Sequence, residues 1–314
     1  MGYHQRIESA DVASFQTTRT RNSELWFINN PDLEGAILGY TARYVTRHEI
    51  KLYALAIEGN HTQFVAHFPL ANRANFMRDF NSSIARAVIR YQTNYPGGGL
   101  WARRYSAEYL PGEQDIENLF FYTVLQPVND GLVNDIRDYP DYNCFEDAIN
   151  GVTRKYKVVK WKEYNDARRW NKDVSIDDFT EICTLTYARL PGYEHLTQSE
   201  YATHMRRKLK KRTEDIIRKR KGKPSMGAKR LKLLKPGARP IKTKTSGRKD
   251  HRPRVLSNNH QRRSSGETWY FEIFFRYKKA SKCYRSGEPN VKFPKGTYKP
   301  PLFTVAHTGG ISLH

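Results

Sequence analysis

His61 and Gln63 stand one residue apart in the stretch GNHTQFVAHF (59–68), directly after the apolar run Leu52 to Ile57. Alternate residues of a strand point to one face, so these two side chains project together while Thr62 and Phe64 point the other way. Alone, the pair reads as ordinary polar residues on the solvated face of an edge strand; a metal site needs a third ligand. Tyr122 and Gln126 lie four residues apart in a helical pattern, so both emerge on one face of that helix. Gln126 supplies a third donor, and the tyrosine one turn before it would lie beside the metal, as a phenolate attacking a phosphodiester requires. A phenol with a pKa of about 10 is a poor nucleophile, but a divalent cation polarises the phosphate and orients the leaving oxygen. Oxygen and imidazole donors favour Mg²⁺ or Mn²⁺ over zinc.

The elements that must hold these residues follow from periodicity. Phe15 to Arg19 predicts a short strand, and Leu25 to Ile28 an apolar segment leading into a turn at Asn29-Asn30-Pro31. Helical spacing runs from Leu33 to Arg47, followed by a hairpin of strands Lys51 to Ile57 and Thr62 to Phe68. A second helix spans Ala71 to Gln92, with Phe76, Phe80, Ile84, Val88 and Tyr91 in one stripe, and stops at NYPGGG. LWARRYSAEYL predicts a strand with Trp101, Arg103 and Tyr105 on one face. The helix EQDIENLFFYTVLQ then runs into Pro127, which is expected to end it. The order β-α-β-β-α-β-α predicts an α+β fold: a ferredoxin-like or RRM-like antiparallel sheet with helices on one face.

The hairpin His-x-Gln, the LWARRY segment and the helix YTVLQPV, continued by NDGLV and RDYP, resemble the REP-associated tyrosine transposases. These are single-tyrosine members of the HUH superfamily, related to transposases of small bacterial insertion sequences, and the resemblance covers roughly residues 15–147 in order. It implies the HUH fold, metal ligation by His61, Gln63 and Gln126, and Tyr122 as nucleophile. Trp101, Arg103 and Arg104 match a family-typical segment, with DNA contact or core support as their role. The family usually has histidine where this chain has Gln63. An amide oxygen is a weaker donor than imidazole but a natural ligand for a hard cation, so the choice lies between a working site and a binding-only one. His67 shares the face of Gln63 by parity and reads as a bystander, with a substitute ligand as the alternative. Glu58 reads as a turn residue, with a metal-adjacent carboxylate as the alternative.

The 314 residues suffice for one large or two ordinary domains, and 13% aromatic content argues for folded structure. No apolar run approaches the roughly 18 residues of a membrane span, and the N-terminal stretch lacks a signal core, so a soluble, cytoplasmic protein is expected. The resemblance makes that cytoplasm bacterial and the protein nucleoid-associated. Cys144, Cys183 and Cys283 are scattered, which disfavours structural zinc and predicts free thiols.

Of the formal net charge of +22, most is concentrated between Met205 and Arg254, with 22 Lys and Arg against three acids. Such a block is the footprint of a polyanion, most often nucleic acid. It begins in a helix opened by the capping box TQSE at Thr197, carrying Arg206, Arg207, Lys208, Lys210, Lys211, Arg212, Arg218, Lys219 and Arg220 as expected DNA contacts. Upstream, residues 154–161 read as a strand and 175–188 as a helix. Residues 222–260 have no apolar period and read as flexible, and TWYFEIFFRYKK (268–279) reads as strand-like. The expected divisions are a catalytic domain (1–150), a helical extension (151–221), a basic flexible segment (222–260) and a small aromatic region (261–314). The expected partner is single-stranded or hairpin DNA, cut through a 5′-phosphotyrosine and rejoined, with a homodimer one of the oligomeric states the resemblance allows. The competing reading is a domesticated, non-catalytic DNA- or RNA-binding protein.

Overall fold

Asn30 starts the first helix by accepting a hydrogen bond from the Leu33 amide (3.0 Å), with Pro31 at the first helical position where its missing N–H costs nothing. The computed structural model describes residues 5–240 and 255–302. Its first part runs β1 (Ala13–Arg19), α1 (Pro31–Arg47), β2 (Lys51–Glu58), β3 (His61–His67), α2 (Arg73–Tyr91) and β4 (Ser106–Leu110). Then come α3 (Glu113–Val124), the single turn α4 (Gln126–Asn129) and α5 (Phe145–Asn150). The second part comprises β5 (Arg154–Val159), α6 (Trp161–Trp170), β6 (Thr180–Leu185), α7 (Gln198–Lys219), α8 (Ala228–Lys232) and α9 (His260–Arg285).

The main sheet is antiparallel in the order β2-β3-β1-β4, the ferredoxin-like order, so the α+β class expected from the sequence is present. Period-2 alternation sends Phe64 of β3 toward α2, where it meets Phe80 edge-to-face at 4.8 Å and Phe76 at 5.3 Å. All three rings are at most 1% exposed, and each stabilises the fold by roughly 1.5–3 kcal/mol through burial. The odd residues His61 and Gln63 therefore face the other side of the sheet, and α3 lies across that side.

Several local expectations are corrected. In LWARRYSAEYL only Ser106–Leu110 is a strand; Trp101 forms an isolated bridge with Thr20, and Arg103 and Arg104 lie in the bend between. Residues 175–188 do not form an α-helix: a single 3₁₀ turn at Asp177–Phe179 leads into β6, which pairs with β5 in a separate two-stranded sheet, Tyr156 opposite Cys183. The Thr and Ile of TEICTL are β-formers, and they outweigh the helical reading. Gly39 admits this hairpin against α1, since a Cβ there would meet Val158 Cγ2 at 2.9 Å.

TWYFEIFFRYKK is helical rather than strand-like, the centre of α9, with Tyr270 stacked on Phe274 and Phe271 on Phe275, each pair one turn apart. The aromatic residues suggested a strand, but their spacing is that of a helix stripe. This helix packs on the main sheet: Trp269 meets Tyr109 of β4 at 5.2 Å, and Tyr270 is buried beside Ile7, Tyr109 and Val255.

The flexible reading of 222–260 is corrected for 222–240 and for 255–260, where buried Val255 bridges Tyr109 and His260 begins α9. Leu231 of α8 is buried, Gly237 lies against the Trp26 ring, and Arg239 binds Glu24 at 2.8 Å. Apolar residues one or two at a time docked this segment without any period. The remaining basic residues 241–254, like 303–314 of the C-terminal region, lie outside the described residues. No helix among the described residues is long and apolar enough to cross a membrane.

Candidate active site

His61 opens β3 and sits between Glu58 of β2 and Arg19 of β1 in the sheet register. Gln63 lies between Ala56 and Thr17 in the next row on the same face. Opposite them, α3 brings Tyr122. Pro127 has no N–H to donate to Thr123, so α3 closes at Leu125 (φ −93°, ψ 2°) and the chain restarts as α4 with Gln126 its first residue. The Val124 carbonyl left over by this break accepts from Asn143 Nδ2 (2.9 Å). Pro127 thus breaks the helix for one residue rather than ending it, and Tyr122 and Gln126 stay on one face.

These residues form a cluster. Gln126 Nε2 donates to Nε2 of His61 across 2.8 Å, and Asn60 Oδ1 accepts from Nδ1 of the same ring at 2.8 Å. The Asn60 contact fixes the proton on Nδ1 and leaves the Nε2 lone pair pointing into the site, the tautomer a metal ligand needs. The Gln63 amide lies beside the Tyr122 phenol and opposes the rise in its pKa. His61, Gln63 and Gln126 are 3%, 3% and 6% exposed, whereas Tyr122 is 46% exposed and open to a substrate. Its ring is held edge-on by Phe15 of β1 at 5.8 Å.

Two atoms stand out. Oε1 of Gln63 and Oε1 of Gln126 are both buried without a hydrogen-bond partner. An orphaned buried acceptor costs on the order of 1–3 kcal/mol, and two beside an imidazole lone pair make a donor set suited to a hard divalent cation. Among the described residues no group of three or more His, Cys, Asp or Glu could hold a metal, so a cation here would depend on the amide oxygens.

The field around the set is acidic. Burial pushes the Glu58 carboxyl up to about 8, aided by the charges of Asp130 and Asp141 and opposed by Arg19. Burial likewise raises the Tyr122 phenol, with Asp130 and Glu108 adding to it and the Gln63 amide and Arg19 opposing. Glu58 is therefore no simple turn residue: it ends β2, buried, directly across from His61. Asp130 was missed, although it continues the four-residue spacing of Tyr122 and Gln126 through the proline, its amide bonded to the Gln126 carbonyl at 2.9 Å. Arg19 was missed because only strand pairing brings it to His61. His67 is held elsewhere, its Nε2 bonded to the Ala10 carbonyl at 2.6 Å.

The other expected contacts divide. Trp101 donates from its indole to Asn81 O (2.9 Å) and packs near Phe27, which is support rather than an exposed platform. Arg103 and Arg104 are exposed. On α7 the predicted capping box is present at Thr197 and Glu200. Lys208 and Arg212 turn inward to Glu117 of α3 at 2.8 and 3.4 Å, Arg206 binds Glu146, and Arg220 binds Asn134. Arg207, Lys210, Lys211, Arg218 and Lys219 are exposed, with Arg207 reaching His204 and Arg218 reaching Asp215 on the same helix.

No family model matches the chain, and no curated protein does. Among solved structures, the chain is similar to a REP-associated tyrosine transposase bound to a REP hairpin, with a TM-score of 0.38 and 16% identity over 45% of this chain and 81% of that one.

Proposed function

We propose that the chain is a metal-dependent single-strand DNA transesterase of the transposase type, acting on hairpin-forming DNA. The observation that carries this reading is the grouping of the Nε2 face of His61 with the orphaned Oε1 atoms of Gln63 and Gln126 beneath a half-exposed phenol. His61, Gln63 and Gln126 would hold Mg²⁺ or Mn²⁺, and such a cation supplies Lewis-acid polarisation of the scissile phosphate.

The chain's own residues do the rest. Tyr122 Oη attacks phosphorus; the P–O3′ bond breaks, the phenolic proton leaves, and the departing O3′ takes up a proton, giving a 5′-phosphotyrosine and a free 3′-hydroxyl. Attack of a 3′-hydroxyl on that phosphotyrosine reverses the step and rejoins a strand. Gln63, beside the phenol, favours its ionised form. Arg19, exposed beside His61, supplies positive charge for the bound phosphate.

The test is incubation of the full chain with labelled hairpin DNA bearing single-stranded flanks and Mn²⁺, followed by denaturing electrophoresis. A protein–DNA adduct formed by the wild type and lost in Tyr122→Phe supports the reading. An adduct retained in Tyr122→Phe moves the nucleophile elsewhere. Binding without any adduct at any Mn²⁺ concentration replaces the enzyme with the non-catalytic binding protein.

A further inference from the structure

A cleft of about 710 Å³ lies beyond the β4 edge, walled by α2, the bend before β4, the end of α9 and residues 298–301. Arg6, Arg103, Arg104, Arg285 and Lys299 line it. The acid within it, Glu8, is already bound to the buried Arg73 at 3.4 Å and does not offset them. Arg6 is fixed over the Tyr105 ring at 4.1 Å. The far wall is anchored rather than loose: Glu8 N donates to Gly296 O at 2.8 Å, and Gly296 approaches Glu8 too closely for any Cβ. Tyr298 is 51% exposed at the rim, an aromatic face open to a base.

Clustered cations beside an exposed aromatic ring suit a phosphodiester strand with unstacked bases. Gln63, Thr17 and Ser106 form one row across β3, β1 and β4 on the α3 side of the sheet, whereas the cleft begins at the next residue, Tyr105, and is lined by Ala74, Met77 and Asn81 of α2, so a strand joining the two sites passes round the β4 edge.

We infer that this cleft binds the single-stranded DNA flanking the phosphate cut at Tyr122, its backbone held by Arg103, Arg104, Arg285 and Lys299 and one base stacked on Tyr298. This rests on the transesterase reading, and the test separates the two. Binding of a fluorescein-labelled 15-nucleotide single strand to the full chain is measured by anisotropy in EDTA, over a series of salt concentrations. The double variant Arg285→Glu and Lys299→Glu lowers affinity at least tenfold and reduces the salt slope by about 1.4. Tyr298→Ala weakens binding about fivefold or more, and Tyr298→Phe restores it. The control Lys162→Glu and Lys172→Glu makes the same change in net charge on the exposed surface around α6. An equal loss in that control, or no loss in the cleft variants while wild type binds, overturns the cleft and leaves the transesterase standing. RNA of the same sequence binding as tightly overturns the assignment to DNA. A wild type that binds no single strand overturns the functional reading itself.

Discussion

Gln126 Nε2 meets His61 Nε2 at 2.8 Å, joining a single helical turn to a strand 65 residues earlier in the chain. The contact covers the imidazole lone pair with an amide donor while the amide oxygen stays unpartnered. On the proposed function, a cation bound here would require Gln126 to turn its oxygen to the site in place of the Nε2 contact.

Gln126→Ala is expected to weaken Mn²⁺ binding at least about tenfold, measured by titration calorimetry without DNA, with DNA affinity in EDTA unchanged. Gln63→His is expected to preserve or tighten it, since imidazole is the better donor to Mn²⁺. Undiminished Mn²⁺ affinity in Gln126→Ala would remove Gln126 from the ligand set.

Glu58 sets a pH dependence. Its carboxyl is pushed up to about 8 by burial, from the ordinary value of 4.5 it has in the unfolded chain. Between these values the folded state binds more protons than the unfolded one, so this contribution is complete below 4.5 and is lost as pH rises toward 8. Denaturation in EDTA should show stability falling across that window with a slope of up to about 1.4 kcal/mol per pH unit. Glu58→Gln should flatten the slope, and an unchanged slope would place the titration elsewhere.

The two faces of α7 should separate experimentally. Glu117 is raised by burial but held below the usual carboxylate range by hydrogen bonds from Lys208 and Tyr193, so Glu117→Ala is expected to cost about 1–3 kcal/mol in urea denaturation. Neutralising Lys210, Lys211, Arg218 and Lys219 to Gln should leave stability within about 0.5 kcal/mol but reduce the salt slope of hairpin binding by about 3. An unchanged slope would make α7 a strut only.

Gly296 has φ +78°, and a Cβ would fall 2.1 Å from the Glu8 carbonyl oxygen. Gly296→Ala should undock the segment after it, seen as faster hydrogen exchange at the Glu8 amide and a loss of about 1–3 kcal/mol. Unchanged exchange would mean the segment is held by other contacts.

The sequence by itself determined the α+β sheet order, the facing of His61 and Gln63, and the pairing of Tyr122 with Gln126, because strand parity and helix spacing are local and set by backbone geometry. The capping box of α7 was legible for the same reason. Local reading went wrong where residue preference and spacing disagreed: α9 looked like a strand by its aromatics, and β6 like a helix. Tertiary structure alone decided what crosses between elements. Glu58 and Arg19 reach His61 by register, Lys208 and Arg212 are drawn inward by Glu117, and the cationic cleft exists because Gly296 docks against Glu8. Burial and charge at such places depend on partners in other elements, 91 residues apart for Lys208 and Glu117, and no local period encodes them.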